Sequence, residues 1–309
     1  MRILILGAGA TGGYFGGRLQ EAGADVTFLV RSPRAAKLAA NGLRIDSPLG
    51  SVTLTAKTVT AETLAQAGIW DLVILSCKAY DLDDSIRTIA PAVGPGTAIL
   101  PILNGLAHYE ALDAAFGREK VLGGLCHIFS TLGTEGEILH MNQLHRLTFG
   151  ERDGGTSPRT EAFAAICATA NFQAIHSTML MQEAWEKYTL LATLAGMTCL
   201  MRANIGTIMA TNDGDAIARE MLAECAATAT ASGHAPRPEP LSMAEGIVTD
   251  PKSAMTASML RDLEGGGRTE GEHIIGDMVT RAKALGVATP QLRVARCHLQ
   301  AYEIRHARG

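Results

Sequence analysis

The chain has 309 residues, 47% of them hydrophobic and 19% charged, and a formal net charge of −4 at pH 7. That length suits one large or two ordinary domains with a substantial core, and that charge gives no electrostatic case for nucleic acid or a membrane surface. No apolar run approaches a transmembrane span, and a strand begun by residue 3 leaves no room for a signal peptide, so a cytoplasmic protein is expected.

In chain order, Ile3-Leu4-Ile5-Leu6 reads as a buried parallel strand. The G-x-G-x-x-G of Gly7-Ala8-Gly9-Ala10-Thr11-Gly12 follows it directly and opens a helical stretch that ends at Gly23. Asp25 to Val30 reads as a second strand. Strand, glycine turn, helix and strand together lift the motif above a chance match. Gly7 can take a tight turn, Gly9 lets main chain approach a pyrophosphate, and Gly12 lets helix and strand pack closely. The helix N-terminus offers unpaired N–H groups and a positive dipole end to the phosphates. An NAD site has an Asp or Glu about 20 residues past the glycines to hold the ribose 2′-OH. Here Arg31 stands at the end of the second strand, followed by Ser32-Pro33-Arg34. A carboxylate would repel a 2′-phosphate and a guanidinium can bind it, so NADP(H) is favoured over NAD(H). The competing reading of Arg31 is a solvated surface arginine.

Pro33 to Ala40 reads as a short helix closed by Asn41-Gly42, and Leu43–Asp46 with Ser51–Thr55 as a hairpin at the sheet edge. Ala61–Ala67 is a helix, Asp71–Ser76 a buried strand, Asp81–Ala90 a helix and Thr97–Leu103 the next strand. The alternation predicts a mostly parallel sheet with helices on both faces, a Rossmann-type α/β domain. Leu125–Leu132, Gly136–Met141 and Arg146–Gly150 look like short strands that extend this sheet, and Pro158–Ala170 like its last helix.

Beyond about Thr178 strand signals vanish. Helical patterns cover Met181–Leu200, Asp215–Ser232, Leu241–Val248, Lys252–Leu260, Thr269–Leu285 and Gln291–Arg305. The expected organisation is a dinucleotide-binding domain over 1–178 and an all-α domain over 179–309. The cleft between the halves is the expected active site. An apolar helical domain of this kind often builds dimers, so a homodimer is an expectation. The six cysteines are scattered without a C-x-x-C and read as buried thiols in a reducing compartment, with no metal site.

Lys78, in Ser76-Cys77-Lys78-Ala79-Tyr80, directly follows a buried strand, and Asn104, in Leu103-Asn104-Gly105, holds the equivalent place on the next. Either can face a cofactor crevice, or be an ordinary surface lysine or turn asparagine. Lys187, in Trp185-Glu186-Lys187-Tyr188, is read in the first turn of the buried helix. Partial desolvation there lowers an ammonium pKa and suits proton donation; the alternative is a snorkelling helix-end lysine. Ser258-Met259-Leu260-Arg261-Asp262 precedes Arg268-Thr269-Glu270. Thr269 can cap a helix with Glu270 in its first turn, while Glu272 and His273 compete for any acid–base role.

The ordered set of these motifs, over essentially the full chain, resembles the ketopantoate reductases (2-dehydropantoate 2-reductases). The resemblance extends to Gly286-Val287-Ala288-Thr289-Pro290. It implies NADPH-dependent reduction of a 2-oxo acid, in pantothenate and coenzyme A biosynthesis if the acid is 2-dehydropantoate. It further implies that Gly7, Gly9, Ala10, Thr11 and Gly12 form the pyrophosphate turn, and that Arg31 and Lys78 contact the adenosine-side phosphate. Asn104 resembles the residue bridging cofactor and substrate, and Lys187 the acid that protonates the ketone oxygen. Glu270 resembles the carboxylate that orients that lysine, and Ser258 the donor to the substrate carboxylate. The family places two asparagines at i+4 and i+8 from the lysine; here they are Leu191 and Ala195. A third falls on Ile205, with Asn204 adjacent as a partial substitute. A wall without those amides cannot read a hydroxyl by hydrogen bonding. A branched or aromatic 2-oxo acid is therefore the alternative substrate, and a non-catalytic NADPH-binding sensor the alternative class.

Overall fold

The computed structural model describes residues 1–307. The chain divides into two compact units: Met1–Leu103 with His108–Leu180, and Asn104–Ala107 with everything from Met181 onward.

The first unit opens with β1 (Arg2–Leu6), α1 (Ala10–Glu21), β2 (Asp25–Leu29), α2 (Ser32–Asn41), β3 (Leu43–Asp46), β4 (Val52–Leu54) and β5 (Thr58–Val59). It continues through α3 (Ala61–Leu64), β6 (Leu72–Leu75), α4 (Leu82–Ile89), β7 (Ala98–Pro101) and α5 (His108–Phe116). It closes with β8 (Gly123–Leu132), β9 (Ile138–Gly150), α6 (Pro158–Cys167) and β10 (Gln173–His176). An all-parallel sheet runs in the order β5-β2-β1-β6-β7. Its central strands are buried on both faces, which is why they read as unbroken apolar runs. The chain reverses its direction of travel across the sheet beside β1, so the glycine turn sits at the topological switch point.

The hairpin β3–β4 forms, but not on that sheet. It joins β8, β9 and β10 in a second five-stranded sheet, ordered β10-β9-β3-β4 with β8 paired antiparallel to β9. The expected extension of the parallel sheet by strands after residue 125 is therefore corrected, and the two short strands expected over 136–150 are one, β9. Pro101 gives one reason: it ends β7 without an N–H to carry the ladder onward. Helix α1 packs against both sheets through glycines. A Cβ on Gly16 would lie 2.7 Å from Phe28 Cε1 and 2.9 Å from Ile5 Cγ1 of the parallel sheet. One on Gly13 would lie 2.6 Å from Ile138 Cδ1, and one on Gly17 2.7 Å from Ile45 Cδ1, of the second. Each helical glycine costs about 1 kcal/mol of propensity, and close approach to two sheets is what that cost obtains.

The second unit is helical: α7 (Leu180–Met201), α8 (Ile205–Met209), α9 (Gly214–Ala231), α10 (Pro238–Val248), α11 (Ser258–Glu264), α12 (Asp277–Ala284) and α13 (Pro290–His306). A π-helical turn, Glu272–Gly276, leads into α12. The helix expected over Lys252–Leu260 is instead an irregular segment followed by the short α11. Its main chain bonds elsewhere: Ile205 N–H donates to Met255 O (3.1 Å) and Gly206 N–H to Ser253 O (2.8 Å). Ala257 N–H donates to Thr198 Oγ1 (3.3 Å), which ties the segment to α7.

Candidate active site

In the first unit the turn after β1 is a main-chain device. Gly7 has φ +87°, and its N–H donates to Leu29 O at 2.8 Å. Gly9 is the N-cap of α1, with no side-chain cap and no acidic residue in the first turn. Gly13 N–H is the first to reach back, to Gly9 O at 2.8 Å. The N–H groups of Ala10, Thr11 and Gly12 thus precede the helix's own acceptors. A Cβ built on Gly9 meets no protein atom within 4 Å, so main chain there is open to an approaching group. A Cβ on Gly12 would collide with Ser76 Oγ and lie 3.0 Å from Ser76 Cβ, directly behind β6. The arrangement fits a dinucleotide pyrophosphate, which needs exposed N–H donors and no anionic competitor.

Arg31 is exposed at the N-cap of α2, one residue past the end of β2's buried run. Arg34, one turn on, was not singled out from sequence. Its Nη2 donates to Ala8 O at 2.8 Å, bracing the glycine turn, and burial lowers its guanidinium pKa. Its position in the first turn of α2, facing back toward β1, is the signal that could have found it. Lys78 is partly buried at the N-cap of the short turn Ala79–Asp81 that follows β6.

The second unit assembles a polar cluster around α7. Lys187 is not in the first turn of that helix: α7 begins at Leu180, which puts Lys187 two turns in. Its Nζ donates to Asn104 Oδ1 at 3.2 Å, and both residues are partly buried. Asn104 lies three residues past β7, yet its segment groups with the helical unit. The residues flanking Lys187 clamp the helix. Glu186 is buried and receives Arg237 in a forked pair, Nε to Oε1 at 2.7 Å and Nη2 to Oε2 at 2.6 Å. Burial alone would raise the Glu186 pKa; the bonds from Arg237 and Gln182 outweigh it and hold the carboxyl below its ordinary value. Tyr188 is buried, and its hydroxyl donates to Ile274 O at 2.6 Å and lies 3.0 Å from Asp277 Oδ2. Three consecutive residues thus fix this turn of α7 in three directions.

Glu270 is 6% exposed and stands just before the π-helical turn, its carbonyl accepting Ile274 N–H at 2.9 Å. Thr269 accepts Gly271 N–H at 3.3 Å, and Glu303 receives both its N–H and its hydroxyl, at 2.7 and 2.6 Å. Ser258 opens α11, partly buried, next to the Ala257 N–H that is bound to Thr198. Asn204 caps α8, its Oδ1 accepting Thr207 N–H at 2.8 Å.

Two family profiles match the chain: ketopantoate reductase PanE/ApbA over residues 3–154, and ketopantoate reductase PanE/ApbA C terminal over 179–303. The chain belongs to the ketopantoate reductase family. A relative in Bacillus subtilis (strain 168), the uncharacterized oxidoreductase YkpB, is 39% identical over 303 residues, 98% of this chain and 99% of that protein. The crystal structure of 2-dehydropantoate 2-reductase from Geobacter metallireducens GS-15 superposes with TM-score 0.88 at 30% identity, covering 97% of this chain and 99% of that one. D-mandelate dehydrogenase, solved with NADH and anilino(oxo)acetate, shares the fold at TM-score 0.87 and 22% identity, over 99% of this chain and all of that one. The protein is thus an NAD(P)-dependent oxidoreductase of the ketopantoate reductase family.

In this member of the ketopantoate reductase family the departures at Leu191 and Ala195 differ in kind. Leu191 is partly exposed one turn beyond Lys187, whereas Ala195 is fully buried. Ile205 is fully buried too, and the neighbouring Asn204 spends its amide oxygen on the α8 cap.

Proposed function

We propose that this protein is an NADPH-dependent reductase that converts a 2-oxo acid to its 2-hydroxy acid, with 2-dehydropantoate the leading substrate, in the cytoplasm. The observation that carries the reading is the Lys187 ammonium held on Asn104 within a family whose reaction needs a proton donor. NADPH when bound supplies the hydride. The turn of Gly7, Gly9, Ala10, Thr11 and Gly12 would hold its pyrophosphate, and Arg31 with Lys78 its 2′-phosphate. The missing carboxylate after β2 and the exposed guanidinium in its place favour the phosphorylated cofactor.

On the acid, Ser258 would donate to the carboxylate. Lys187 would give its proton to the 2-oxo oxygen as the carbon gains hydride, leaving C–H and O–H where C=O stood. Asn104 would point the ammonium by accepting a hydrogen bond from it, and Glu270 would keep it charged before transfer. Asn204 retains an amide nitrogen that can face substrate while its oxygen caps α8.

A second substrate reading rests on Leu191. An apolar side chain one turn past the proton donor offers a distal hydroxyl no partner and an alkyl or aromatic group a surface. The fold shared with D-mandelate dehydrogenase makes an aromatic 2-oxo acid the natural rival. The test is turnover of 2-dehydropantoate, branched and aromatic 2-oxo acids with NADPH and with NADH. The reading expects oxidation of NADPH by at least one acid. A rival about a hundredfold better than 2-dehydropantoate in kcat/KM would replace the leading substrate. NADPH binding with no acid reduced would leave a sensor.

A further inference from the structure

We propose that His273 is a positioning residue for the proton donor: it holds the Asn104–Gly105 main chain, and through it the amide oxygen that receives the Lys187 ammonium. This rests on the reductase reading above. Asn104 is carried by a stretch, 102–107, without strand or helix, and Gly105 takes φ +78° within it. A side chain on such a stretch aims only as well as its main chain is held. His273 supplies the hold. A Cβ built on Gly105 would lie 3.2 Å from His273 Cδ2, 3.4 Å from its Nε2 and 3.3 Å from its carbonyl oxygen. Ring and main chain of His273 therefore both lie against Gly105.

His273 is itself held from the other side. It lies in the π-helical turn Glu272–Gly276, and the next residue, Ile274, accepts the Tyr188 hydroxyl at 2.6 Å. Tyr188 adjoins Lys187. One turn of main chain therefore reaches both sides of the pair, the Asn104 segment through His273 against Gly105 and the Lys187 helix through Tyr188. A π-helical turn shifts side chains out of the α-helical register, and such turns gather at functional sites. Burial lowers the His273 pKa, with Glu270 and Asp277 drawing it back up, so an uncharged ring can lie packed against Gly105 near neutral pH.

The experiment compares His273→Ala, His273→Asn and His273→Gln with wild type by steady-state kinetics, NADPH titration and hydrogen–deuterium exchange of the 104–107 segment. The expected result for His273→Ala is a kcat lower by about 10- to 100-fold, as for a misaimed catalytic group. KM for the acid and Kd for NADPH should stay within about threefold, and exchange at 104–107 should quicken. The better of the two amides should recover most of the lost kcat and slow the exchange again. A His273→Ala kcat within about twofold of wild type, amides no better than alanine, or unchanged exchange at 104–107 would overturn the proposal. If wild type reduces no 2-oxo acid, the reductase reading falls by itself, and the exchange measurement still decides whether His273 holds this segment.

Discussion

The turn after β1 and the cluster around Lys187 are built in opposite ways. The first is six consecutive residues, and nearly everything it offers a ligand is main chain: one left-handed glycine, one open glycine and three N–H groups. The second works through side chains, and its central hydrogen bond joins residues 83 positions apart. A main-chain device tolerates almost any change that keeps its backbone path. A side-chain device depends on every element that aims it, so substitutions should separate the two.

The largest effect is expected at Lys187. Replacing it with alanine removes the proposed acid, and kcat should fall by about 10³-fold, within the span of general acid catalysis; near-normal turnover would remove Lys187 from the mechanism. Next comes Gly12→Ala. Its Cβ would meet Ser76, displacing the N-terminus of α1, and Kd for NADPH should rise by about 10- to 100-fold. Unaltered affinity, measured by titration, would mean that the turn does not carry the pyrophosphate. Arg31→Ala should cost about tenfold in kcat/KM with NADPH and little with NADH, since only the former has a 2′-phosphate to lose. Equal losses with both cofactors would place Arg31 on a part they share, and no loss with either would make it an ordinary surface residue.

The smallest effect is on stability. Burial lowers the pKa of His273, His145 and His234 below the ordinary 6.5 in the folded protein. The unfolded chain then binds more protons as pH falls through about 6.5. Their contribution is complete above that pH and is lost below it. Glu224, raised by burial, works in the opposite sense at lower pH. Tm should be level from about pH 8 to 7 and decline toward about pH 5.5; a level Tm across the whole range would contradict neutral, partly buried rings.

The same contrast explains what could be read from the chain. The parallel sheet and its glycine turn were legible because each strand is an unbroken buried run and the motif is contiguous. The second sheet was not, since β3 pairs with β9, an element some ninety residues later, and local pattern carries no register for such a partner. Ala61–Leu64 announced itself, but β5, α5, α8 and β10 are short or lack clear periodicity. The Lys252–Leu260 stretch looked helical because its residues are good helix formers. Its main chain is instead taken by Ile205, Gly206 and Thr198. Lys187 stands out by residue type, but the apolar run from Leu191 is only the second half of a helix that begins at Leu180, so the lysine lies two turns in rather than in the first turn. Arg34 and His273 act on main chain distant in sequence, a role that no spacing rule announces.

The account's central claim is that cofactor affinity and proton delivery belong to separate devices. Its most direct test is the NADPH dissociation constant of Lys187→Ala, titrated beside wild type. The account predicts the same value within about twofold in a variant that scarcely turns over. A dissociation constant raised about tenfold or more would show that the lysine serves the cofactor, and would contradict the separation.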